Sequence, residues 1–217
     1  APLLMQSFSP EDFSHSGEIL AVVLIMSSIS VLKLDGLVQL SDCKESMFRL
    51  MKLALVVATL FTILSTFLFY IIFHDVVLML SGALMTLILS IHNVLIARIV
   101  AIKKLDVLAF VFVLISISSN CVPLLFKEYG YMSLIYGFIF GYVVVIFILG
   151  KSLFLTLNVP VSFREMLRVV RMESDFTLNA TIETLINALS LNLPVLVLTH
   201  YYLEVQTGGF VFASKYS

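Results

Sequence analysis

The chain has 217 residues, 60% of them hydrophobic and 12% charged, with a net charge of −1. An average soluble domain is about 45–50% apolar and about 25% charged, so too little polar surface is present to coat a water-soluble globule. These values exclude a soluble enzyme, a disordered chain, a disulfide scaffold and a nucleic-acid binder, and leave a polytopic membrane protein.

Residues 1–16 come first, with Glu11 and Asp12 but no Lys or Arg. Within them, Pro2-Leu3-Leu4-Met5 reads as the tail of a helix. A bilayer core of about 30 Å takes about 20 apolar residues in a helix. Six stretches fit: Gly17–Leu34, Leu50–Phe73, Val76–Ala101, Leu105–Phe126, Tyr131–Leu157 and Leu178–Thr199. Open strands cannot satisfy their backbone in lipid, and no barrel-like alternation is present, so the polytopic membrane protein is all-α. The segment from Gly209 onward reads as the opening of a further span. Three units follow: a first transmembrane lobe over residues 1–157, a linker over 158–177, and the start of a second lobe over 178–217. The linker is amphipathic and basic, with Arg164, Arg168 and Arg171 on one face, and suits the inner-leaflet surface.

The connections fix an orientation. Lys33, Lys44, Arg49, Lys52, Arg98, Lys103, Lys104, Lys151, Arg164, Arg168 and Arg171 fall on one side of this assignment. Lys127 falls on the other, and Lys215 lies near the end. The positive-inside rule puts the basic side in the cytoplasm and residues 1–16 outside.

The chain also resembles itself. At an offset of 192 positions, Pro2 falls on Pro194, Leu4 on Leu196, Asp12 on Glu204, Gly17 on Gly209 and Ala21 on Ala213. Both copies face the same side, so each repeat holds an even number of spans, and six are implied. Two parallel six-helix lobes are an architecture of secondary transporters, with substrate bound between them.

Certain motifs carry a family resemblance. Ser9-Pro10-Glu11-Asp12-Phe13 followed by Gly17, the Lys33-Leu34-Asp35 helix end, and the stretch from Asp175-Phe176 through Asn187 to Pro194 resemble polysaccharide biosynthesis membrane proteins. These are the O-antigen and lipid-linked oligosaccharide flippases of the MOP exporter superfamily. Gly36 departs from the pattern, as does the loop His200 to Thr207. The resemblance implies a MOP-like lobe of a 6+6 parallel repeat, truncated at both ends. It also implies a bacterial inner membrane location and a polyprenyl-diphosphate-linked glycan as cargo, moved by alternating access to the outer leaflet. Its implied partners are the lipid bilayer and other glycan-assembly membrane proteins. It implies no enzyme activity, cofactor or metal.

Polar residues inside spans are the candidate site, because such groups are costly in lipid. Asn179, Glu183, Asn187 and Ser190 follow spacings of 4, 4 and 3 and share one helix face. They line a wet cavity, with Glu183 holding a cation, a proton or sugar hydroxyls, or they join helices to one another. Lys33 and Arg98 are candidates for guiding a diphosphate headgroup, with Asp35 beside them; the alternative is plain positive-inside placement. Pro123 and Pro194 each remove a helix hydrogen bond and are hinge candidates. Gly137 and Gly141 form a GxxxG spacing suited to close packing within the chain. His92 is expected as a hydrogen-bonded packing residue, and His15, His74 and His200 as loop residues.

Two other functions compete with a flippase. A cation-coupled multidrug antiporter of the same superfamily needs acidic residues buried in early-lobe helices. A polymerase or ligase of glycan assembly needs a large outer loop with catalytic groups, and every outer loop here is short.

Overall fold

The structure, a computed structural model, describes residues 2–41, 43–151, 160, 168, 171, 174–202 and 204–216. Nine α-helices occur among them, and no strand. They are α1 (Pro2–Ser7), α2 (Pro10–Ser30), α3 (Leu34–Gln39), α4 (Lys44–Phe73), α5 (Val76–Ala101), α6 (Leu105–Leu125), α7 (Tyr131–Ile148), α8 (Ser174–Tyr201) and α9 (Glu204–Tyr216). A 3-10 turn, Lys127–Tyr129, joins α6 to α7. Six helices are long and apolar enough to cross a membrane: α2, α4, α5, α6, α7 and α8. They are the six segments expected, and the chain is an all-α multi-pass membrane protein.

Helix ends differ from expectation for identifiable reasons. α2 starts at Pro10, not Gly17, so the segment Ser9 to Phe13 is a first helical turn rather than an outer loop. Ser9 is its N-cap: Ser9 Oγ accepts from Asp12 N–H at 3.2 Å, and Ser9 N–H donates to Asp12 Oδ2 at 3.0 Å. Two orphan donors are thereby satisfied, and Pro10 stands where a missing N–H is harmless. α4 starts at Lys44 because its charged turn is itself helical, with Arg49 paired to Glu45 at 2.7 Å. Asp75 caps α5, its Oδ1 accepting from Val77 N–H and Leu78 N–H at 2.6 and 3.0 Å. α7 ends at Ile148, ahead of the expected Leu157, and residues 152–157 lie outside the described residues. Most of the expected basic linker also lies outside them; Arg168 and Arg171 are helical and exposed. α9 starts at Glu204, so Gly209 sits inside a helix rather than opening one.

α2 breaks sharply before α3. Leu32 and Lys33 both take left-handed conformations, with φ of 47° and 53°. Such residues cost about 1–3 kcal/mol each and persist only where their surroundings hold them. Here Val31, Leu34 and Val38 are buried against Met47 and Met51 of α4 and Ala97 of α5.

Helix ends gather into two groups. At the basic end, α3 packs on the start of α4 and the end of α5, and the foot of α8 stands beside Gly36. At the acidic end, Asp12 approaches Gly130, and Leu4, Phe8, Phe13, Leu134, Val195 and Val211 form one buried cluster. Between them, Ile19, Leu20 and Val23 of α2 meet Phe69, Met85, Leu89 and Ile135. α4 and α6 turn Leu64, Phe67, Ile71, Phe110 and Val113 outward, where a bilayer would cover them.

Candidate functional site

Lys33 and Asp35 sit on the α2–α3 break, and Arg98 lies in the last turn of α5. Packing of α3 against α5 gathers all three at the basic end. Arg98 does not simply extend toward water: its guanidinium carbon is 5.2 Å from the centre of the Phe48 ring on α4. A cation over an aromatic face gains about 0.5–1 kcal/mol at an exposed site and more when desolvated. Asp35 Oδ1 is buried and accepts no hydrogen bond within the described residues. A negative oxygen in that state needs water or a ligand donor.

The four polar residues of α8 do share a face. Asn179, Glu183, Asn187 and Ser190 are all exposed. α8 instead buries Thr177, Thr181, Asn192 and Val195. The two faces are nearly opposite around the helix, so the stripe points away from the seam with α2. Ser190 Oγ donates to Ile186 O at 2.8 Å, and Asn192 Nδ2 to Ala188 O at 2.9 Å. Those groups are satisfied by their own helix. The stripe starts near the other candidates, because a Cβ on Gly36 would lie 3.6 Å from the Phe176 ring in the first turn of α8. A Cβ at position 36 would make an ordinary van der Waals contact with that ring.

Pro123 is buried in α6, and Gly137 of α7 lies over it: a Cβ there would come within 2.5 Å of the proline ring. Gly141 likewise faces Ser118 and the Ile115 backbone. The GxxxG spacing therefore joins α6 to α7, and the proline is gripped by its neighbour. Pro194 is exposed inside α8.

His92 is 5% exposed, and its ring meets that of Tyr142 edge-on at 4.7 Å and 90°. Neither ring nitrogen has a partner of strict hydrogen-bond geometry, but the Asn93 side chain interacts with the ring, so His92 is a packing residue with one loose polar partner. His15 and His200 are also corrected: both lie in helices, α2 and the last turn of α8. His74 is the left-handed C-cap of α4.

Comparison with protein-family models, curated proteins and solved structures found no match.

Sequence reasoning missed two features. One is the hydrogen bond between Ser30 of α2 and Ser90 of α5, both fully buried, with Ser90 Oγ also donating to Thr86 O at 2.6 Å. The other is Glu18, a partly buried acid inside α2. Recognising Ser9 and Asp12 as a capping box would have found it, because a helix from Pro10 puts Glu18 more than two turns inside the span. A shallow groove of about 250 Å³ along α4, lined by Lys52, Leu55, Val56, Thr59 and Leu60, includes none of the candidate residues. No group of three His, Cys, Asp or Glu among the described residues is arranged to hold a metal ion.

Proposed function

We propose that this chain belongs to a flippase that carries a polyprenyl-diphosphate-linked oligosaccharide, such as an O-antigen unit for lipopolysaccharide, across a bacterial inner membrane. Residues 1–157 act as one lobe and residues 178–217 as part of the facing one, and the two rock in alternating access. One observation carries the reading. α1–α2 and α8–α9, the units related by the 192-residue offset, are both helix pairs broken near the same point, and α2 packs against both helices of the second pair. A parallel repeat puts equivalent helices face to face across its axis. Lys33 and Arg98 receive the diphosphate at the basic end, where phosphate oxygens accept charge-assisted hydrogen bonds. The α8 stripe supplies amide, carboxylate and hydroxyl groups to the sugar, in a cavity completed on the side away from α2.

Deleting the gene should strip the glycan from the cell surface and leave its lipid-linked form on the inner leaflet, and Glu183→Gln should lower transport with expression intact. Normal surface glycan in the deletion strain would overturn the proposal.

A cation-coupled antiporter is the second reading, and Glu18 favours it, since an acid part-way into an early helix is what that class needs. Drug sensitivity on deletion, with surface glycan unchanged, would select it.

A further inference from the structure

The groove along α4 is lined by Lys52, Leu55, Val56, Thr59 and Leu60 and holds about 250 Å³. At about 100° per residue these positions fall within one arc of the helix. Leu55 is buried, whereas Val56, Thr59 and Leu60 are exposed. The Thr59 hydroxyl donates to Leu55 O at 2.8 Å, so it is satisfied within the helix. Below Lys52 the walls therefore offer hydrocarbon alone. Further along the same arc Ile63 and Phe67 are exposed, so the groove opens toward the bilayer and not into the bundle.

Cations gather at its basic end. Lys52 stands in the mouth of the groove and is half-buried. One turn nearer the start of α4, Arg49 and Phe48 flank it on either side. Arg49 pairs with Glu45 at 2.7 Å, and Phe48 carries the Arg98 guanidinium of α5 over its ring at 5.2 Å. Lys44, Arg49, Lys52 and Arg98 outnumber Glu45, the one carboxylate on these turns of α4 and α5. The mouth is thus electropositive and the slot beneath it apolar.

That pairing is complementary to a lipid with an anionic headgroup. Its phosphate oxygens accept charge-assisted hydrogen bonds, and basic pockets at this level of a membrane recognise such headgroups. A zwitterionic lipid fills the slot equally well but gains less at the mouth. A second copy of α4 fits poorly, because helices approach closely through small residues and this arc presents Val56, Leu60, Ile63 and Phe67.

We propose that the α4 groove binds an anionic phospholipid of the bilayer, with Lys52 at the phosphate and an acyl chain along Leu55, Val56, Thr59 and Leu60. Arg49 and Arg98 keep the partners they have and supply the surrounding positive field. Neither Lys52 nor the groove takes part in the flippase reading, so the site stands or falls separately from it.

The chain has no tryptophan, so a single introduced one reports on its own surroundings. The intact chain with Leu60→Trp is placed in phosphatidylcholine vesicles containing graded amounts of phosphatidylglycerol with brominated acyl chains. Quenching at position 60 should show about a fivefold preference for phosphatidylglycerol over phosphatidylcholine. Phe112→Trp is the control: it lies on α6, exposed, as far past Lys104 as Leu60 is past Lys52, and outside the groove. It should show no preference. Adding Lys52→Gln to Leu60→Trp should abolish the preference, and Lys52→Arg should keep most of it. Equal preference at positions 60 and 112 would indicate the general field of the basic end and overturn the proposal, as would an unchanged preference in Lys52→Gln. Relief of the quenching by a short polyprenyl phosphate at lower concentration, or by dimerisation of the chain, would assign the groove to another occupant and overturn it too.

Discussion

His92 is a polar ring in an apolar place. Its two nitrogens have no partner of strict hydrogen-bond geometry, only a loose interaction with the Asn93 side chain, while its edge packs on Tyr142. A buried unpaired polar group costs about 1–3 kcal/mol, and an edge-on ring pair returns about 0.5–1.5 kcal/mol. His92→Leu removes both terms at similar volume. It should hold the melting temperature or raise it by up to about 4 °C, and leave transport unchanged, in a thermal melt and a complementation assay. A large loss of transport with the fold intact would show that the imidazole does chemistry. The candidate residues were unequally legible at this scale. Asn179, Glu183, Asn187 and Ser190 needed only helical spacing to be placed on one face. Glu18 was overlooked because its helix was started too late, although Ser9, Pro10 and Asp12 mark the start in the sequence itself.

Among elements, the α6–α7 pair makes the sharpest forecast. Gly137 has no room for a side chain because the Pro123 ring occupies it. Gly137→Ala should destabilise the chain by about 1–3 kcal/mol. Pro123→Ala added to it should recover part of that loss, since the ring is what the new methyl strikes, and coupled neighbours depart from additivity by about 0.5–3 kcal/mol. Denaturant titration of the two single variants and the double variant measures this directly; simple additivity would refute the contact. The sequence shows the GxxxG spacing and the proline but not that they meet, because helical spacing defines a face without naming the partner.

For the whole molecule, the alternation of basic connections and the gathering of helix ends agree. Gly36 beside Phe176, and Arg98 over Phe48, bring basic connections to one end, while Asp12 and Gly130 meet at the other. In cells expressing single-cysteine variants, a membrane-impermeant maleimide added outside should label Glu11→Cys and Lys127→Cys. It should miss Lys103→Cys and Arg168→Cys until the cells are opened. Labelling that separates Lys103 from Arg168 would break the assignment of spans.

The amino-acid sequence by itself determined that this chain crosses a membrane as six helices, because span length and hydropathy are local properties set by bilayer thickness and by the backbone's need for hydrogen bonds. It also determined which side is basic. Only the tertiary structure decided which faces meet. Thr177, Thr181 and Asn192 of α8, not its more polar stripe, turn toward the bundle. Gly17 of α2 admits Val211 of α9, and Gly137 of α7 admits the Pro123 ring of α6. Those outcomes depend on shape complementarity between helices remote in sequence, and lipid, being as apolar as the side chains, gives apolar patterning little power to select the partner.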